Sequence, residues 1–92
     1  GLALRRTRRR AAFDRLSPLE RAIALTREAA GRADPGDRRK ALSRLAEALD
    51  GAGATGLARS AGHAAWAETP PTPPIALEFA ERAEPHRMPE PA

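Results

Sequence analysis

LSPLERAIALTREAAG (residues 16–31) decides the fold class. Ser17 suits a helix N-cap, Pro18 suits the first helical position, and Glu20 completes a capping-box pattern three residues after the serine. Leu19, Ala22, Ile23, Thr26 and Ala30 then recur at helical spacing, and Leu25 and Ala29 widen the stripe. Gly31 supplies a stop. These signals together predict an amphipathic helix over about 18–30.

The downstream sequence repeats this logic. Asp34-Pro35-Gly36 reads as a turn, with Asp37 free to cap the next helix, RRKALSRLAEALDGAG. Leu42, Leu45 and Leu49, flanked by Ala41, Ala46 and Ala48, form its apolar face, and Arg38, Arg39, Lys40, Arg44 and Glu47 fall on the solvent side. Gly51 and Gly53 end it. Thr55 is placed to cap a third helix, GLARSAGHAAWAE, whose stripe is Leu57, Ala58, Ala61, Ala64 and Ala65. Gly56 and Gly62 each weaken that helix by about 1 kcal/mol relative to alanine, or allow close approach of a neighbour.

TPPTPP then forces an extended linker, because the residue before a proline avoids the helical region. Thr72 with Pro73 and Pro74 reads as the cap and first turn of a last helix that buries Ala76, Phe79, Ala80 and Ala83, with Ile75 or Leu77 at its edge. Pro85 is expected to stop it. Upstream, Ala12, Phe13 and Leu16 have helical spacing, so a short additional helix is expected from about 3 to 14.

Composition agrees with this reading. Alanine accounts for 22 of the 92 residues and leucine for ten, with no valine, tyrosine or cysteine and two isoleucines. Those are helix formers, and the β-branched and aromatic residues that strands favour are scarce. The expectation is an all-α fold, a small bundle of four short antiparallel helices, five with the upstream segment, and a proline-rich linker before the last. We divide the chain into a basic juxtamembrane-like tail (1–11), a helical domain (12–84) and a disordered C-terminal tail (85–92). The core is thin and alanine-rich, so marginal stability is expected.

Several kinds of chemistry are poorly supported. Ser60 and His63 lie three apart on a helix, but no acid at helical spacing orients the histidine and no glycine-rich turn presents the serine. With two histidines and no cysteine there is no metal-ligand pattern, and no phosphate or dinucleotide loop is present. An enzyme is not expected, nor is a cofactor. LAEALDGAGATGLARSAG resembles a helix-turn-helix superficially. Counting from Ala46, however, the positions that need glycine and an aliphatic hold Asp50 and Gly56. A tetratricopeptide-type repeat needs a period of about 34 residues, and one copy and a fragment would fill this chain. PPTPP satisfies a P-x-x-P pattern, making Trp66, Pro70, Pro71, Pro73 and Pro74 a candidate partner surface, although such a run is more often a stiff spacer.

The arginines remain. GLALRRTRRR carries five of the 16 basic residues and none of the 12 acidic ones, leaving 11 basic against 12 acidic over residues 11–92. The basic character therefore belongs to Arg5, Arg6, Arg8, Arg9 and Arg10. They form a possible electrostatic contact, and no whole-domain basic face of the nucleic-acid-binding kind follows. As an arm they would bind nucleic acid weakly and with strong salt dependence. No aromatic is interleaved for base stacking, and no continuous apolar face suits a membrane surface. The favoured expectation is a cytoplasmic flank. GLAL resembles the last residues of a span and the arginines hold that end inside, which accords with Gly1 rather than methionine in first position.

LALRRTRRRAAFDRLSPLERAIALTREAA, DRRKALSRLAEALDGAG and LARSAGHAAWAETPPTPP together resemble the C-terminal cytosolic tails of certain bacterial membrane proteins. Those proteins are encoded beside MoxR-type ATPases and von Willebrand factor A-type proteins. The resemblance spans most of the chain: arginines after a span, capped alanine-rich helices and a Trp-then-proline segment. It implies a cell-envelope protein with a small, non-enzymatic helical interaction module in the cytoplasm, a protein partner, and no catalytic residue to carry over. A small nucleic-acid-binding protein using the arginine arm is the alternative.

Overall fold

Three helices of this protein begin with the same device, a short polar side chain followed by proline. The polar oxygen accepts an orphan backbone N–H, and the proline has no N–H to leave unsatisfied and a φ already suited to the helix. A computed structural model describes residues 17–87. In it, the Ser17 hydroxyl accepts the Glu20 N–H at 3.1 Å and opens α1, Pro18–Ala30, the helix expected there. The Asp34 carboxylate accepts the Gly36 N–H at 2.8 Å and opens α2, Pro35–Gly51. The Thr72 hydroxyl accepts the Ile75 N–H at 3.4 Å and opens α4, Pro73–Ala83.

The start of α2 corrects the reading of Asp34-Pro35-Gly36 as a turn capped later by Asp37. The cap is Asp34, and Pro35 and Gly36 are already helical. An Asp-Pro pair satisfies a turn and a helix start equally well, and the buried face that runs from Arg38 through Ala41, Leu42, Leu45 and Leu49 decides in favour of the helix. Asp37 lies instead in the first turn, 3.8 Å from Arg32.

The third helix, α3, spans Thr55–Ala65, and its cap position is Ala54, with no side-chain hydrogen bond there. Thr55 is therefore not the cap. The reason lies in how α2 ends. Gly53 takes φ +87°, its N–H reaches the Asp50 carbonyl at 3.0 Å, and the Ala54 N–H reaches the Leu49 carbonyl at 2.9 Å. This pair of bonds is a Schellman turn, and it delivers Ala54 directly to the first turn of α3, where its carbonyl accepts from Ala58 at 2.9 Å. The helix stops at Ala65, with Trp66 capping it, rather than running on to Glu68. Nor does Pro85 end all regular structure, since a 3₁₀ turn follows over Glu84–His86. The upstream helix expected over about 3–14 and the last residues of the expected tail (88–92) lie outside the described residues.

The described residues form an all-helical bundle without strands. α2 is its centre, packing most extensively on α3 and α1, while α4 packs chiefly on α1. Neighbours run antiparallel. The start of α1 meets the end of α2 around Pro18 and Ala48, and the end of α1 meets the start of α2 around Ala29 and Ala41. Leu42, Leu45 and Leu49 are wholly buried at the middle, with Leu19, Ile23, Ala58, Ala61, Ala65, Ala80 and Ala83 around them. Ala76 is equally buried, whereas Phe79, expected inside, is only half-buried. Thr26 is buried too, its hydroxyl donating to the Ala22 carbonyl at 2.8 Å, one turn back in the same helix.

Arg38 overturns the expectation that the basic residues of α2 all face solvent. It is 7% exposed. Its Nε donates to the Pro71 carbonyl at 2.7 Å and its Nη1 to the Arg32 carbonyl at 2.7 Å. Arg39 donates to the carbonyls of Ala65 at 3.1 Å and Glu68 at 3.3 Å. Two adjacent guanidinium groups thus hold the α3–α4 linker by its backbone, where no regular structure would satisfy those carbonyls. At the other end of α4, Glu84 meets Arg27 of α1 at 2.5 Å and Arg87 beside it. The hydrogen bond from Arg27, with a smaller share from Arg87, holds the Glu84 carboxyl below the ordinary carboxylate range.

Candidate docking groove

α1 carries two stripes. One is the core stripe of Leu19, Ile23, Thr26 and Ala30. The second, rotated toward α2, runs Pro18, Arg21, Ala22, Leu25, Glu28 and Ala29, and Arg32 continues it just past the helix end. α2 answers it with Asp37, Lys40, Ala41, Arg44, Glu47 and Ala48, again at helical spacing. Where these two stripes meet, the contact residues are mostly alanines. A methyl group closes the gap between helix backbones at the core edge but does not fill the space above it, so a groove remains.

Three depressions make up the groove. The first is floored by Leu25, Ala29 and Ala41, the second by Ala22, Leu25 and Ala48, and they share Leu25 and Arg44. The third shares Pro18, Glu47 and Ala48 with the second and continues to Ser17, Gly51, Ala52, His86 and Arg87. Leu25 is half-buried in the floor, the one large apolar side chain common to the first two depressions.

The rim is charged, and its charges are unevenly matched. Arg32 lies 2.6 Å from Glu28 and 3.8 Å from Asp37, so both acids at that end are engaged, and the Glu28 hydrogen bond raises the Arg32 pKa further above its ordinary value. Among the described residues, Arg21, Lys40 and Arg44 make no ion pair, and neither does Glu47. The two depressions around Leu25 thus hold four cations and three acids, and once the Arg32 pairs are set aside three unpaired cations face one unpaired acid among the described residues. Sequence alone places Lys40, Arg44 and Glu47 on the solvent side of their helix and Asp37 at its cap. The trace the groove leaves in sequence is the double periodicity of α1, where Leu25 falls between the core stripe and charges at 21, 28 and 32, a pattern that does not by itself separate a cleft from open solvent.

The residues singled out from sequence are distributed elsewhere. Trp66 is 65% exposed at the end of α3. Pro70, Pro73 and Pro74 are exposed, but Pro71 is buried, with its carbonyl held by Arg38. Pro73 and Pro74 belong to the first turn of α4. The run is therefore split between a pinned linker and a helix start, and it does not present one continuous P-x-x-P ridge. Ile75 and Leu77 add exposed apolar surface on α4, at 38% and 48%. Ser60 and His63 are exposed on α3. Among the described residues no three metal-ligating side chains cluster, and no helix is long and apolar enough to cross a membrane. Arg5, Arg6, Arg8, Arg9 and Arg10 lie outside the described residues. No protein-family model matches the chain, and neither does any curated protein or solved structure.

Proposed function

We propose that this chain is a non-enzymatic helical protein-interaction module that docks a partner in the α1–α2 groove, and that it belongs to the cytosolic side of a bacterial membrane protein. The observation that carries the docking reading is the groove itself: an apolar floor about four helical turns long between two rows of charged side chains, the form that helix-in-groove recognition uses. Exposed Trp66 supports a second contact, since large aromatic groups concentrate binding energy at interfaces. The membrane address rests on sequence, on the leucines and five arginines of GLALRRTRRR and on the resemblance to membrane-protein tails.

Site-specific photo-crosslinking in cells tests the docking reading. A photoreactive residue at Leu25 is expected to yield a discrete protein adduct, and one at Ser60, on the exposed face of α3, to yield none. Absence of an adduct at both Leu25 and Trp66 would remove the proposal. Titration with duplex DNA at low and moderate salt separates the nucleic-acid alternative, which requires salt-sensitive binding that disappears when the five arginines are replaced. The membrane address predicts an apolar span of about 20 residues encoded before Gly1.

A further inference from the structure

We infer that the occupant of the α1–α2 groove is an acidic amphipathic helix of a partner protein, about four turns long. This rests on reading the groove as a docking surface and adds the chemistry of what fills it. Length comes first. α1 is a 13-residue helix, and at 1.5 Å per residue the groove beside it accepts a helix of about 20 Å, or 13 to 14 residues. The floor then sets the apolar side of the partner. Leu25 and the alanines at 22, 29, 41 and 48 leave room for large aliphatic side chains at i, i+3 or i+4, and i+7, since the groove residues themselves contribute mostly methyl groups.

Charge selects the polar side. At the Arg32 end the two acids are already paired. Around Leu25, Lys40 and Arg44 lie one turn apart on α2 and Arg21 lies across on α1, none with an ion-pair partner among the described residues, and beside the paired Glu28 and Asp37 the one unpaired acid there is Glu47. A helix flanking its aliphatic stripe with glutamates meets all three cations. A basic helix meets three like charges, which disfavour wrong partners more strongly than matched charges favour the right one. The same argument weighs against this chain's own arginine-rich start as the occupant, because residues 1–10 carry five arginines and no acid.

The test uses the full 92-residue chain and two synthetic 14-residue helical peptides. They share one leucine stripe and differ in having glutamate or lysine on the polar face. Affinity is read by fluorescence anisotropy and location by backbone amide shifts. The glutamate peptide is expected to bind about tenfold more tightly than the lysine peptide, the size expected of about three partly solvated charge contacts. Its shifts are expected to centre on Leu25, Ala29, Ala41 and Arg44. In the Lys40→Glu, Arg44→Glu double variant, which changes two exposed positions, the order of the two peptides is expected to invert.

Equal affinities, preference for the lysine peptide, or shifts centred on Trp66 would overturn the inference. So would shifts at Ala29 and Ala41 on replacing Phe13 with serine without peptide, which would assign the groove to the chain's own N-terminal segment. Shifts there that grow with protein concentration would assign it to a second copy and overturn it equally. The two readings fail separately. A partner crosslinked through Leu25 whose docking helix carries no acidic face refutes the acidic occupant and leaves the docking function standing, whereas loss of crosslinking at both Leu25 and Trp66 refutes the function.

Discussion

Arg38 is the residue whose environment departs furthest from its type. A buried arginine is tolerated only where its donors are met, and here two are met by carbonyls of residues 33 and six positions away in sequence. It closes the α3–α4 linker over the core and ties it to the end of α1. Replacing Arg38 with alanine leaves the Pro71 and Arg32 carbonyls without these donors and opens space at the core edge. The expected loss is about 2–3 kcal/mol, read as a lower midpoint in urea denaturation at unchanged slope. Arg38→Lys should retain less than half of the interaction, because an ammonium has no planar fork to reach both carbonyls. This role was legible in part. Positions 38, 42, 45 and 49 fall on one helical stripe, so spacing points to the buried face, but the charge led to Arg38 being placed on the solvent side. What decided between them, the open carbonyls of a linker 33 residues away, is tertiary information that α2 does not contain.

At the scale of elements, the helices were legible and their exact starts less so. Ser17-Pro18 and Thr72-Pro73 were read as starts because each precedes an apolar stripe directly. Asp34-Pro35 was not, because the glycine after it favours a turn and the stripe begins later. Thr55 was read as a cap because it is a short polar side chain directly before the third stripe. Only the backbone path through Gly53 shows that the previous helix's exit supplies the geometry. Two glycines make opposite predictions here. Gly53 takes φ +87°, a conformation that costs an L side chain about 1 kcal/mol or more, so Gly53→Ala should be destabilising by about that amount. Gly62 is in the interior of α3, and a Cβ built there would lie 3.9 Å from the Ala46 Cβ, an ordinary contact. Gly62→Ala should therefore stabilise by about 0.5–1 kcal/mol, since the helical preference of alanine is gained without a clash. Thermal denaturation of the two variants should move the midpoint in opposite directions.

The molecule as a whole depends on very few large side chains. Leu42, Leu45 and Leu49 are wholly buried, and much of the remaining core is alanine. A domain of this size is held by roughly 4–10 kcal/mol, while truncating a fully buried leucine to alanine costs about 3–5 kcal/mol. Leu45→Ala should therefore remove a third or more of the total and lower the melting temperature by well over 10 °C. Retention of the wild-type transition by circular dichroism would show that the central leucines are not what holds α2 in place. Fold class and helix count were legible at this scale because alanine and leucine at helical spacing leave few alternatives. The groove was not, because a stripe of charges beside a stripe of alanines looks the same in sequence whether it faces bulk water or a cleft between two helices.

Pro18, Pro35 and Pro73, each at the first position of a helix, bear on how so slight a core suffices. Their rings restrict the chain before it folds as much as after. A proline that already holds φ near its helical value removes conformations from the unfolded ensemble, worth about 0.4–1 kcal/mol at a compatible site. Three such sites together amount to about 1–3 kcal/mol, somewhat less than truncating one buried leucine costs. Part of this protein's stability is therefore not located in any contact of the folded bundle. It lies in the narrower set of shapes the unfolded chain can adopt, and replacing these prolines would raise the entropy of that ensemble while leaving every leucine where it is.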